Sequence, residues 1–217
     1  MIGLQDARRF GSGFVYEPVL ISDESAPPEP EAPEDPHQNE SRSSRDIEAA
    51  FIDPNTLFDI LRERVIGQDV ALTKLANIVS RHLAKSNPRG PASVFLSGST
   101  GIGKTWCAEM LGESLQELNL DVGYLRLDMN QYSEPHRVSS LLGAPPGYVG
   151  HGSGSELINR IQEYPLSVIV FDEIEKAHPD ILKVLMNAID EGRLADPYHG
   201  EISCSRSIFI FTSNTAF

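Results

Sequence analysis

"GSTGIGKT", residues 98–105, decides the fold. It fits the pattern G-x-x-x-x-G-K-[ST]. It follows the apolar run "SVFLS" (93–97) and opens the helical stretch "TWCAEMLGESLQEL" (105–118). A strand, a glycine-rich turn and a helix in that order is the context in which this motif holds phosphate. Glycines let backbone N–H groups close on an anion, and the helix N-terminus adds partial positive charge. Gly98, Ser99, Thr100, Gly101, Ile102, Gly103, Lys104 and Thr105 are therefore the expected cradle for a nucleoside triphosphate. Lys104 is placed to reach the β and γ phosphates, and Thr105 to offer its hydroxyl to Mg²⁺.

A triphosphate with its metal calls for a carboxylate partner. "SVIVFDE" (167–173) supplies one, because Asp172 and Glu173 close a wholly apolar run. Charge at the tip of a buried strand is costly unless a cation sits nearby. Asp172 suits the metal, and Glu173 is placed to orient and deprotonate an attacking water. The plainer alternative is a helix N-cap for the segment that follows. Asn214, at the end of "SIFIFTSN" (207–214), is a polar strand tip, open to a role at the γ-phosphate or to a simple turn.

Around the motif, apolar runs alternate with helical patterns. "SVFLS", "VGYLRLD" (122–128), "SVIVFD" and "SIFIFTS" are the expected strands, and their continuous apolar character predicts burial on both faces of each. Upstream, "PNTLFDILRERV" (54–65) and "DVALTKLANIVSRHLAK" (69–85) carry apolar residues at helical spacing, and "NPRGP" (87–91) ends the second. Strands alternating with helices predict a mostly parallel sheet in a three-layer α/β sandwich.

The net charge of −13 is concentrated. Residues 22–46 hold seven acids before the first base, Arg42, with five prolines and no large apolar side chain. Such a stretch buries too little surface to offset its ordering entropy, so it is expected to be a disordered acidic linker. It separates a short N-terminal element, 1–21, from the α/β core, 47–217. The acidic balance argues against a nucleic-acid partner. No apolar run nears the roughly 18 residues of a membrane helix. The N-terminus lacks the features of a secretory signal. Cys107 and Cys204 have no metal-ligand spacing and are expected to be small buried thiols in a reducing, cytoplasmic setting.

Taken together, these segments resemble the AAA+ ATPases, and within them the second ATPase module of the Clp chaperone and disaggregase family. The resemblance spans about residues 54–214. "RVIGQD" (64–69) is similar to the family's adenine-side box, "GSTGIGKT" to its Walker A, and "VIVFDEIEKAHPDILKVLMNAIDEGRLAD" (168–196) to its Walker B and following helix. "LRLDMNQYSEPHRVSSLLGAPPGYVG" (125–150) resembles the stretch through the first pore loop, and "FTSN" (211–214) the sensor-1 strand. The resemblance implies ATP and Mg²⁺ as ligands, with Val65 and Ile66 flanking the adenine and Asn214 as sensor 1. It also implies that Gly147, Tyr148, Val149 and Gly150 form a pore loop whose tyrosine grips polypeptide inside a ring of AAA+ subunits.

The same resemblance implies a sheet of order 5-1-4-3-2, an arginine finger and a helical lid. The sequence stops at Phe217, soon after sensor 1, so the expected fold lacks the fifth strand and the lid and leaves "SVFLS" at an edge. Arg193 and Arg206 do not occupy the finger's position. Trp106 stands where the family usually has a polar or acidic residue; its two open placements are the nucleotide side and the core, and its size and helix position favour the core. Two functions follow as expectations. One is Mg-ATP hydrolysis coupled to polypeptide remodelling in a ring. The other is a nucleotide-binding interaction or regulatory protein that turns ATP over poorly alone.

Overall fold

The computed structural model describes residues 50–134, 137, 141, 155–196 and 200–214. The expected N-terminal element, the acidic linker and the segment Gly147–Gly150 with Tyr148 lie outside the described residues.

Helix α1 spans Pro54–Arg64. Asp53 caps it, its side chain accepting from the Asn55 amide at 3.3 Å, and Pro54 sits at the first helical position where its missing N–H costs nothing. Helix α2 covers Asp69–Leu83 and buries Leu72, Leu75, Ala76 and Val79 along one stripe. Strand β1 is Ala92–Ser97, helix α3 Lys104–Glu117, and strand β2 Gly123–Asp128. Then come helix α4 (Glu156–Glu163), strand β3 (Ser167–Asp172) and helix α5 (Pro179–Glu191). A hairpin of β4 (Arg193–Asp196) and β5 (Gly200–Ser203) leads to strand β6 (Ile208–Ser213).

Four strands pair in parallel in the order β1-β6-β3-β2. Residues of successive parity on each central strand feed opposite cores. Val168, Val170, Ile208 and Ile210 pack with α1, α2 and α3, whereas Ile169, Phe171, Phe209 and Phe211 pack with α4 and α5. The result is the expected three-layer α/β sandwich. Phe171 stacks on Phe211 at 5.1 Å between centroids and meets Phe209 edge-on at 5.3 Å, which fixes the register of β3 against β6 on that face.

One expectation needs correction. Only β3 and β6 are buried at every residue. On β1 and β2 exposed or half-exposed positions alternate with buried ones, because these are the outer strands of the four and, among the described residues, each has a strand partner on one side alone. The β4–β5 hairpin was not foreseen either. It forms antiparallel pairs from Arg193↔Ser203 to Asp196↔Gly200, and the Arg193 guanidinium meets Glu201 at 2.6 Å.

Both cysteines are buried, and burial pushes the thiols up to about 11 for Cys107 and about 12 for Cys204. His82 is also buried, with Nε2 bonded to the Arg206 carbonyl at 3.3 Å, an arrangement that requires Nε2–H on the neutral ring. Desolvation lowers its pKa; the Arg206 hydrogen bond opposes this, and the charges of Lys85 and Arg206 reinforce it. A base whose folded pKa is depressed contributes stability above its unfolded value, about 6.5, and loses it as pH falls toward the folded value. His82→Gln is therefore expected to be less stable at pH 7 by about 1–2 kcal/mol. Its stability should also vary less between pH 7 and pH 5 than that of the parent. Thermal melts across that range check this; an unchanged slope would remove His82 as the titrating group.

Candidate functional site

The register lines up the carboxyl ends of the strands: Ser97 lies beside Ser213, and Asp128 beside Asp172. In open parallel sheets this end is where ligands bind. Residues 98–103 connect β1 to α3 there. Gly101 and Gly103 have φ of +84° and +87°, a backbone region that disfavours side chains, and a Cβ at either would meet nothing within 4 Å. The glycines serve the turn's conformation and leave the space over it open.

Lys104, at the start of α3, turns back over this loop. Its Nζ donates to the carbonyls of Gly98 at 2.8 Å and Ser99 at 2.9 Å, and to Asn214 Oδ1 at 2.9 Å. Thr105 Oγ1 donates to Asp172 Oδ1 at 2.9 Å. The same oxygen accepts from Thr212 Oγ1 at 2.5 Å, while Oδ2 takes Nε and a terminal nitrogen of Arg126 at 3.0 and 2.5 Å. Burial opposes the charge on Asp172, but the hydrogen bonds of Thr212, Thr105 and Arg126, with the charge of Arg126, outweigh it and hold the carboxyl below its usual range.

Glu173 sits one residue beyond β3 in left-handed backbone, φ +57° and ψ +54°. That conformation is uncommon for a non-glycine residue and costs about 1–3 kcal/mol. Its amide is held by Thr212 Oγ1 at 3.1 Å. Its carboxylate accepts from Asn214 Nδ2 at 2.5 Å and from Asn130 Nδ2 at 2.7 Å. Asn214 in turn donates its backbone N–H to Glu175 Oε1 at 3.0 Å. Asn214 thus touches both the lysine and the glutamate, which a turn residue alone would not require.

Through Thr212, which bonds both Asp172 and the Glu173 amide, the structure brings Lys104, Thr105, Asp172, Glu173 and Asn214 into one hydrogen-bonded set. Four further members were missed in the sequence: Arg126, Asn130, Glu175 and Thr212. Arg126 leaves a trace there, as the one charge inside "YLRL", and its strand register sets it diagonally across from Asp172. Of the adenine-side pair, Val65 is buried in the core and only Ile66, at 89% exposure, presents its side chain. Trp106 is not in the core as expected. It is 49% exposed, and its indole N–H donates to the Arg64 carbonyl at 3.1 Å.

Residues 89–217 match the family described as AAA domain (Cdc48 subfamily). The chain belongs to the AAA family. Within it, the similarity is to Clp proteins. The mitochondrial chaperone protein ClpB3 of Oryza sativa subsp. japonica is 44% identical over 160 residues, 73% of this chain and 16% of the relative. The chaperone protein ClpB of Leptolyngbya boryana is 43% identical over 160 residues, covering 73% and 18%. The ATP-dependent Clp protease ATP-binding subunit ClpC of Staphylococcus aureus strain USA300 is 44% identical over 161 residues, covering 73% and 19%. The AAA chain thus spans under a fifth of the length of these relatives. Among its described residues no helix is long and apolar enough to cross a membrane.

Proposed function

We propose that this AAA domain binds Mg·ATP over the 98–105 loop and hydrolyses it, and that the cycle moves polypeptide within a ring of AAA+ subunits. The observation that carries the reading is the single hydrogen-bonded set at the carboxyl end of the sheet. It joins a loop-held lysine to Glu173 through Asn214, and Glu173 to Asp172 through Thr212. The open space over Gly101 and Gly103 supports a bound anion there.

The donor set also suits the metal. Mg²⁺ binds through one or two protein oxygens and fills its remaining positions with water and phosphate, and Thr105 with Asp172 offers that many. When bound, it supplies positive charge that neutralises the triphosphate. Lys104 places its ammonium at the same loop on the Gly98 and Ser99 carbonyls and Asn214, and exchanges one or more of these three bonds for phosphate oxygens when phosphate arrives. Glu173, with Asn214 and Asn130 fixing its two oxygens, orients a water and takes its proton. Arg126 must yield part of its hold on Asp172 for metal to be shared. Tyr148, between Gly147 and Val149, is the proposed polypeptide grip. The relatives' names, a chaperone and a Clp protease subunit, favour polypeptide as the substrate.

Isothermal titration of the full chain with ATP tests the reading. Binding in Mg²⁺ is expected to be at least about tenfold tighter than in EDTA, or about 1.4 kcal/mol, with AMP unable to compete. No ATP binding in Mg²⁺ would overturn it.

A further inference from the structure

Trp106 is the chain's only tryptophan, and the phosphate chemistry leaves it unused. It lies one residue past Thr105 in the first turn of α3. At about 1.5 Å of helical rise per residue, its backbone is within a few ångström of the groups expected to hold phosphate and metal. Its indole N–H reaches the Arg64 carbonyl at 3.1 Å, the residue before Val65 and Ile66. Arg64 is itself fixed to α3, donating to Glu117 at 2.6 Å and to Ser114 at 3.3 Å. The side chain therefore spans from the phosphate end of the site to the Ile66 segment. Its polar atom is satisfied and its ring is still half exposed. Ile66, two residues past Arg64, is exposed as well, at 89%. Two large apolar side chains left open beside an anion cradle are costly in water, and match a ligand with a charged tail and a flat apolar head.

We propose that Trp106 forms the base-side wall of the nucleotide site, packing its indole against the purine while Lys104 and Thr105 hold the phosphates. This rests on the ATP-binding reading above and adds a specificity element to it. An aromatic wall recognises any base through its π face. It therefore raises affinity for ATP and GTP alike over tripolyphosphate, without choosing between the two purines.

Because Trp106 is alone, its fluorescence reports on itself. Titration of the full chain with ATP or ADP in Mg²⁺ is expected to change its intensity or emission maximum, and tripolyphosphate to leave both nearly unchanged. By calorimetry, Trp106→Ala should weaken ATP and GTP about tenfold, the lower part of the range for base–aromatic stacking, and leave tripolyphosphate as in the parent. Trp106→Phe, which keeps a ring and loses the bond to Arg64, should recover most of the ATP affinity. Three results would overturn the proposal: ATP binding without a fluorescence change, Trp106→Ala binding ATP as the parent does, or ATP and tripolyphosphate weakened equally in a variant with a normal melt. Each of these leaves the ATP-binding reading standing. A parent chain that binds neither nucleotide nor tripolyphosphate defeats both.

Discussion

A Glu173→Gln variant is expected to bind Mg·ATP within about twofold of the parent chain and to turn it over about 10²- to 10⁴-fold more slowly, the range a positioned general base contributes. The substitution keeps the volume and removes the proton acceptor. Its structural cost can be read from the neighbours. Glu173 accepts amide protons at both oxygens, from Asn214 and from Asn130. Glutamine has one oxygen and one NH₂, so one of the two asparagines must face a donor. Asn214 cannot turn over without giving up the bond its Oδ1 accepts from Lys104. Asn130 therefore yields, and it retains its bond to Asp128 Oδ1 at 3.0 Å by moving little. The expected loss of stability is under about 1 kcal/mol, because the Asn130 contact is solvent-exposed. Steady-state phosphate release and a thermal melt on the same samples measure both. No measurable turnover by the parent, with ATP still bound, would favour the nucleotide-binding module over the hydrolase. A variant that turns ATP over as fast as an active parent would remove Glu173 as the base.

The residues that sequence could place are those whose chemistry is local. The phosphate loop is contiguous, so its glycines, Lys104 and Thr105 appear as one word, and a strand before and helix after it are visible in periodicity. Asp172 and Glu173 follow from the apolar run they end. What was not legible is set by tertiary neighbours. Burial of β1 and β2 depends on their being at the edges of the sheet, which no pattern inside "SVFLS" or "VGYLRLD" encodes. Arg126, Asn130 and Thr212 enter the site through strand register and through turns that meet only after folding. The size of Trp106 predicts the core, yet α3 turns its third residue toward Arg64 rather than toward the sheet. The next residues of that helix, Cys107, Ala108, Met110 and Leu111, fill the core instead.

Lys104→Ala should abolish nucleotide binding at practical concentrations, a loss of at least about a hundredfold and so about 2.7 kcal/mol or more. The size follows from what the ammonium does. It is the cation held at the loop by the Gly98 and Ser99 carbonyls, and a hydrogen bond to a charged group contributes about 1.5–3 kcal/mol. Removing it also frees Asn214 Oδ1, so the side chain that steadies Glu173 loses one of its two anchors. Folding should be nearly unaffected. The carbonyls of Gly98 and Ser99 lose a donor at a partly exposed site, where water replaces it. Lys104→Arg separates charge from shape. A planar, forked guanidinium cannot direct three bonds from one point into the Gly98, Ser99 and Asn214 oxygens, so it is expected to keep the melting temperature and recover little of the affinity. Titration calorimetry with ATP, beside melts of all three proteins, decides the matter. Lys104→Ala binding ATP like the parent would mean that the loop is a glycine turn holding its own lysine, and that the acid pair across from it serves some other cation.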